Sequence, residues 1–301
     1  MGPDVISSRT NARVKQLRAA FHGQARLSGG MVAIEGDHLL EEALRSGMVL
    51  KTVFIGERRD VPKIVPRGVE LLRLTEEVFG SVVETQSPQG IAALVVPPVF
   101  SIEDVMRAAS SGTEAPLILI AVGLQDPGNL GTLVRSAEAF AADGVLTTPG
   151  TVSAWNQKTL RASAGSVFRV PVVAVTASEV EGLKRHGLQL IAAVGKEGVE
   201  ARKAPEMDLT VSCALMIGNE GRGLAEEWIE MCDVRVTVPC PGAVESLNAA
   251  VAGSLLLYEA SRQRGEQTQE EKQKRNAGVH RSAQVDRRAT IETMRTERVV
   301  R

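Results

Sequence analysis

From Leu117 onward the chain alternates short apolar runs with amphipathic stretches, and this alternation restricts its fold more than any other feature. Leu117–Val122 is a continuous apolar run, which suits a strand buried on both faces. Gly144–Thr147, Val170–Val175, Leu188–Val194, Ala214–Ile217 and Val234–Val238 read as further strands. Gly128–Ala142, Trp155–Ser163, Glu179–His186, Leu224–Met231 and Ser246–Arg262 read as helices. Strand–helix alternation of this kind predicts a mostly parallel sheet covered on both faces. Ligands in such sheets bind at the carboxyl ends of the strands.

A smaller α/β unit precedes this one. Met31–Glu35, Val49–Ile55, Val69–Leu74 and Ile91–Val96 read as its strands, with helices over His38–Arg45 and near Thr75–Gly80. Pro97-Pro98 ends the unit, Ser101–Ala109 reads as a short helix, and Ser110 to Pro116 reads as a surface loop. The expected divisions are a domain over 1–98, a linker over 99–116, a second domain over 117–264 and a tail over 265–301. The tail is rich in Gln, Arg and Glu without apolar periodicity, which predicts disorder or weak helicity.

The net charge of −1 conceals an uneven distribution. Arg9, Arg13, Lys15, Arg18 and Arg26 face Asp4 alone in the first thirty residues, and the segment after Ser261 has eleven Lys/Arg against six Asp/Glu. Residues 101–261 are acidic, with twelve Lys/Arg against nineteen Asp/Glu. Basic ends can hold a polyanion by counterion release, but on charge alone a solvated surface with a soluble tail is the favoured reading. Aromatic residues make up 3% of the chain, which argues against an aromatic stacking platform as the main RNA-reading device. Cys213, Cys232 and Cys240 include no CxxC, which suggests a reducing compartment and no metal site. No apolar run approaches the roughly 20 residues of a membrane span, and the start lacks the apolar core of a secretory signal. A cytoplasmic location is expected, with no membrane association.

Three loops at predicted strand ends carry the candidate chemistry. Asp126-Pro127-Gly128-Asn129 starts a helix whose apolar face leaves Arg135 on the opposite side. Asn129 can serve there as an N-cap. Gly218-Asn219-Glu220-Gly221-Arg222-Gly223 follows an apolar strand and is neither a dinucleotide GxGxxG nor a P-loop. Its glycines let backbone approach a ligand closely, and Glu220 adds a carboxylate. Pro239-Cys240-Pro241-Gly242 turns the chain toward Ser246, which can cap the final helix. Leu247, Ala250, Val251, Ser254, Leu255 and Tyr258 form that helix's expected buried stripe, and Asn248 sits in its first turn without a structural reason.

Together, Asn129-x-Gly131-x-x-x-Arg135, Gly218-Asn219-Glu220-Gly221-x-Gly223 and Pro239-x-x-Gly242-x-x-x-Ser246-Leu247-Asn248-Ala249 resemble the three motifs of SpoU/TrmH-type RNA 2′-O-ribose methyltransferases of the SPOUT superfamily. The match covers about Leu117 to Arg264 in order and spacing. Ile6-Ser7-Ser8-x-x-Asn11-x-x-Val14-Lys15-x-Leu17 and Glu35-Gly36 resemble, more loosely, the family's ribosomal-protein-like substrate-binding domain.

The resemblance implies a trefoil knot in the carboxy-terminal part, a rarity among folds. It implies S-adenosylmethionine as cofactor, held by Gly195, Gly218, Val238 and Leu247, and a homodimer with its active site near the interface. It assigns Arg135 to the ribose as base or proton acceptor, with Asn129, Glu220, Ser246 and Asn248 orienting both; no metal is required. A guanidinium normally stays protonated, so the base role demands unusual surroundings. The implied substrate is RNA, ribosomal RNA ahead of transfer RNA because of the front unit. A non-catalytic RNA-binding or ribosome-assembly protein of the same fold is the alternative, and a Rossmann-type nucleotide enzyme is disfavoured by the missing GxGxxG.

Overall fold

The structure is a computed structural model and describes residues 5–24, 28–83, 85, 87–111, 115–195, 200–244 and 246–267. Most of the tail expected after residue 264, the middle of the expected linker loop and Arg26 lie outside these residues. The front unit contains β1 (Val5–Ile6), α1 (Ala12–Phe21), β2 (Val32–Glu35), α2 (Asp37–Arg45), β3 (Val49–Gly56), β4 (Glu70–Leu74), α3 (Glu76–Gly80) and β5 (Ile91–Val96). Its sheet runs β1-β4-β3-β5-β2. β5 is antiparallel to both β2 and β3, and β4 is parallel to β1 and β3.

Residues of the looser front motif have structural tasks here. Asn11 caps α1 by accepting from Arg13 N, and Val14 and Leu17 are buried against Phe54, Phe79 and Leu94. Gly36 turns the chain at φ +93°, a conformation that favours glycine. Glu35 is buried and accepts from Thr85 Oγ1 at 2.7 Å and from Gln89 N at 3.3 Å.

After α4 (Ile102–Ser111), the second unit contains β6 (Leu117–Ala121), α5 (Pro127–Ala139), β7 (Gly144–Thr147), α6 (Gln157–Ser163), β8 (Val172–Ala174), α7 (Ala177–Gly182), β9 (Gln189–Ala193), β10 (Arg202–Lys203), β11 (Cys213–Ile217), α8 (Glu226–Met231) and β12 (Val234–Thr237). A last helix, α9, spans residues 249–267. The seven strands run β10-β12-β9-β11-β6-β7-β8, every neighbour parallel. β6 and β11 are buried along their full length, as their unbroken apolar sequences require. Alternate residues of β6 serve opposite faces. Leu117, Leu119 and Ala121 meet Leu133 of α5 and Leu257 of α9, whereas Ile118 and Ile120 join Val105, Val180 and Ile229.

Strand order reverses at β6: the chain moves outward through β7 and β8, then returns to build β9, β11 and β12 on the other side. Such a switch point leaves a crevice at the carboxyl ends of the central strands. This order fits the knotted path that the resemblance implies. The two units also share one hydrophobic cluster, in which Ile34, Leu40 and Val53 of the front unit pack with Leu160, Val167 and Phe168. Arg169 bridges them, pairing with Glu42 at 2.7 Å and also with Glu138.

Two expectations about the final helix need correction. It starts at residue 249, so Ser246 does not cap it; Asn248 does, accepting from Ala250 N at 2.9 Å and Val251 N at 3.2 Å. The expected buried stripe is divided between two faces. Ala250, Leu256, Leu257 and Ala260 are buried, while Val251, Leu255 and Tyr258 are 46%, 41% and 50% exposed. Apolar residues occur on both sides of this helix, and periodicity alone does not say which side meets the sheet.

Candidate functional site

The first loop places Asn129. Asp126, not Asn129, caps α5: its Oδ1 accepts from Gly128 N at 2.6 Å and Asn129 N at 3.1 Å. Pro127 fits the first turn, where an N–H would lack a helical partner anyway. Lys158, whose Nζ lies 3.1 Å from Asp126 Oδ2, and then the Asn129 N–H hold the Asp126 carboxyl below the usual range. With the helix capped one turn earlier, the Asn129 side chain is released for other work. Gly131 permits α5 to touch α6, since a Cβ there would lie 2.6 Å from both Ala162 Cβ and Thr159 O.

The second loop is a tight turn closed by reciprocal backbone bonds, Asn219 N to Gly223 O at 3.0 Å and Gly223 N to Asn219 O at 2.8 Å. Gly218 cannot carry a side chain, because a Cβ would stand 2.2 Å from the carbonyl carbon of Gly223. Asn219 braces the turn, donating Nδ2 to Gly123 O and accepting from Gly221 N, both at 2.9 Å. Glu220 is thereby delivered to the first loop. Its Oε1 accepts from Asn129 Nδ2 at 2.9 Å and Asp126 N at 3.1 Å, and its Oε2 from Gln125 N at 3.3 Å. Partial burial would raise its pKa, but the Asn129 and backbone hydrogen bonds outweigh burial and hold it below the ordinary carboxylate range.

From the third loop, Asn248 donates Nδ2 to Asn129 Oδ1 at 3.1 Å. Asn129 therefore sits between Glu220 and Asn248, with both ends of its amide engaged. The capping bonds of Asn248 and this donation together supply the reason that the sequence lacked for an Asn at this position.

Beside this group lies a pocket of about 300 Å³. Gly195 follows β9, Gly218 to Gly223 follow β11, Val238 and Cys240 follow β12, and Ser246 and Leu247 close it from the approach to α9. All four expected cofactor positions, Gly195, Gly218, Val238 and Leu247, line this one pocket, as do Glu220 and Ser246. Ile217, Val238, Leu247 and Leu256 are apolar members of its lining, beside the polar Asn219, Glu220, Arg222 and Ser246.

Arg135 stands apart. It is exposed on α5 and has no hydrogen bond or ion pair among the described residues. It lies six positions after Asn129, about 9 Å along the helix axis and about 120° around it. Its neighbour Ser136, about 100° further round the helix, bonds Ser254 Oγ of α9 at 2.7 Å.

Lys158 and Gly123 lie outside the three loops that the sequence singles out, and Asp126 and Asn219, though within them, carry no individual role in the sequence reading. An acidic residue directly before Pro is the available signal for Asp126. The roles of the others arise from loops that meet only in the fold. Among the described residues, no group of three or more His, Cys, Asp or Glu could hold a metal ion, and no helix is long and apolar enough to cross a membrane.

A parallel sheet with glycine-rich loops at a switch point, a pocket at its strand ends and an Asn–Glu–Asn group at that pocket's edge defines a methyltransferase-type domain. The chain belongs to the SpoU rRNA methylase family, whose pattern it matches over residues 116–258. Residues 11–93 match the MRM3-like substrate binding domain. The 23S rRNA (guanosine(2553)-2′-O)-methyltransferase RlmP of Bacillus subtilis is 35% identical over 254 residues, covering 84% of this chain and 97% of that protein. A solved structure described as an RNA 2′-O ribose methyltransferase is 34% identical, with a TM-score of 0.73 over 87% of this chain and 99% of that one. The SpoU methyltransferase AviRb of Streptomyces viridochromogenes, solved with AdoMet, is 28% identical, with a TM-score of 0.72 over 84% of this chain and 98% of that one.

Proposed function

We infer that this chain is an S-adenosylmethionine-dependent methyltransferase that modifies a ribose 2′-hydroxyl in RNA, with ribosomal RNA as its substrate class. The observation that carries this reading is the abutment of the strand-end pocket on the Asn129–Glu220–Asn248 group, in a chain of the SpoU family. The pocket suits the cofactor. Gly218 lets its turn close flush against Gly223 at the pocket wall, and Val238 and Leu247 supply apolar walls.

Gly195, Gly218, Val238 and Leu247 would hold the cofactor, which supplies an electrophilic methyl group when bound. The chain's task is to orient the hydroxyl and manage its proton. Glu220, kept ionised by its hydrogen bonds, fixes Asn129 through Nδ2, and Asn248 fixes the other end. Ser246, at the pocket wall, is assigned to the ribose. Arg135 is assigned there too, as the acceptor of the proton or as the charge that steadies the oxyanion as it develops.

Within one chain Arg135 does not contact the Asn129 group, so its role calls for a second subunit. We assign the exposed Val251, Leu255 and Tyr258, spaced at i, i+4 and i+7 on α9, to a homodimer interface. Tyr258 packs edge-on to Phe140 with centroids 5.7 Å apart, which joins this face to the end of α5, the helix that carries Arg135. A protein acting on ribosomal RNA is assigned to the cytoplasm.

The test is methyl transfer from labelled cofactor to total RNA and to unmodified ribosomal subunits, followed by digestion to nucleosides. A labelled 2′-O-methylnucleoside is expected. Its absence across all substrates, with RNA still bound, would transfer the chain to the non-catalytic RNA-binding reading.

A further inference from the structure

Between the two units lies a second cleft, of about 500 Å³, separate from the strand-end pocket. Phe21, Gly23, Gly30 and Met31 line it from the front unit, and Trp155 and Asn156 from the second. We propose that this cleft, with Trp155 as its stacking surface, binds an unpaired nucleotide of the substrate RNA other than the nucleotide that is methylated. The proposal rests on the RNA substrate inferred above.

Trp155 is held in advance. Its ring stacks on Phe168 of the shared core, with centroids 6.2 Å apart and planes at 20°. The indole remains partly exposed, and its N–H makes no hydrogen bond among the described residues. Next to it, Asn156 uses Oδ1 to accept from Lys158 N at 2.9 Å as the cap of α6, which leaves its Nδ2 as a donor. An aromatic surface with two unused donors suits a nucleobase, whose edges carry carbonyl and ring-nitrogen acceptors. Aromatics are too scarce for a platform of several bases, and one indole serves one base.

The walls are fixed relative to each other. Gln157 at the cleft donates Nε2 to Ala33 O at 2.9 Å, a buried bond across the two units. Glycines at 23 and 30 keep the opposite wall open: a Cβ at either would meet nothing within 4 Å. A preformed concave site of this kind is what ligand recognition requires.

The cleft's position argues for RNA over other occupants. Lys158, two residues beyond Asn156, pairs with Asp126, the cap of the helix that carries Asn129. One strand can therefore run from the methylated ribose to the cleft past Lys158 and Arg161, both exposed and on one face of α6. Such cations position phosphates without reading sequence, whereas a stacked base can be read.

The sequence has two tryptophans, so Trp228→Phe leaves Trp155 as the sole emitter. An in vitro transcript of 23S ribosomal RNA should quench its fluorescence, and S-adenosylmethionine alone should not. Trp155→Ala should weaken transcript binding about tenfold with cofactor affinity unchanged, while Trp155→Phe should keep binding within about threefold. Unchanged emission while anisotropy of the labelled transcript reports binding overturns the proposal. Quenching by RNA-free ribosomal proteins but not by the transcript also overturns it and makes the cleft a protein site. If Trp155→Ala fails to fold, the single-tryptophan measurement decides alone. Methyl transfer without quenching removes the cleft and leaves the enzyme; quenching without transfer does the reverse.

Discussion

Asn248 donates its side-chain amide to Asn129 Oδ1 across 3.1 Å while its own Oδ1 caps α9. One side chain thus anchors the last helix and braces the candidate catalytic group. The two tasks use different atoms and can be separated. Asn248→Asp keeps the capping oxygen and removes the donor, so transfer should fall about tenfold or more with little change in melting temperature. Asn248→Ala removes both and should also cost about 1 kcal/mol of stability. Parallel measurement of kcat and thermal unfolding distinguishes the two effects; equal losses of stability would refute the separation.

Glu220 links the site to pH. Its folded pKa lies below its ordinary value, so its contribution to stability is complete above the unfolded pKa and is lost as pH falls through the folded one. Asp126 and Glu138 behave alike, so the comparison is between wild type and Glu220→Gln. Urea midpoints measured downward from about pH 6 should converge for the two proteins as the solution becomes acidic. A gap independent of pH would contradict this account.

Gly218→Ala should abolish cofactor binding. The added Cβ would meet the backbone of Gly223 and Leu224 at 2.2 and 2.3 Å, and no flexible side chain is there to yield. Calorimetry with S-adenosylmethionine should show a loss of at least about tenfold, alongside about 1–3 kcal/mol of destabilisation. Unaltered affinity would mean that the turn does not form the pocket wall.

Arg264 is 6% exposed near the end of α9 and donates to the carbonyls of Ala115, Pro116, Leu209 and Val211. These lie beside the starts of β6 and β11, so the guanidinium fastens the last helix to the two adjacent central strands of the sheet. Arg264→Ala withdraws donors from buried carbonyls and should cost about 1–3 kcal/mol. A urea midpoint close to wild type would refute this role.

Leu255→Arg combined with Tyr258→Glu places charges on the exposed face of α9. Sedimentation should report a shift from dimer to monomer, and transfer should fall with it while cofactor affinity persists. An unaltered dimer would move the interface elsewhere, and an active monomer would dismiss the shared role of Arg135.

Much of the fold was legible because local physics agreed with it. Leu117–Ala121 and Cys213–Ile217 are unbroken apolar runs, and both are central parallel strands. The three loops fell at strand ends, where glycine and proline are tolerated. Short elements were less legible: β1 and β10 have two residues each, too few for any periodic signal. The capping of α9 was misread because Ser246 and Asn248 are both good caps, and the path of the loop before them determines which one meets the helix.

By itself the sequence determined the class of fold, the loops that carry chemistry and the residue types they offer, since patterning, turn propensity and motif spacing act over a few neighbouring residues. The tertiary structure decided how those residues combine. Asn129 is 91 residues from Glu220 and 119 from Asn248, yet its amide joins them because the sheet brings three strand ends to a single crevice. It also decided that Arg135 stands outside this group and that one side of α9 remains uncovered. Side-chain contacts of this kind depend on long-range packing, which neighbouring residues along the chain do not encode.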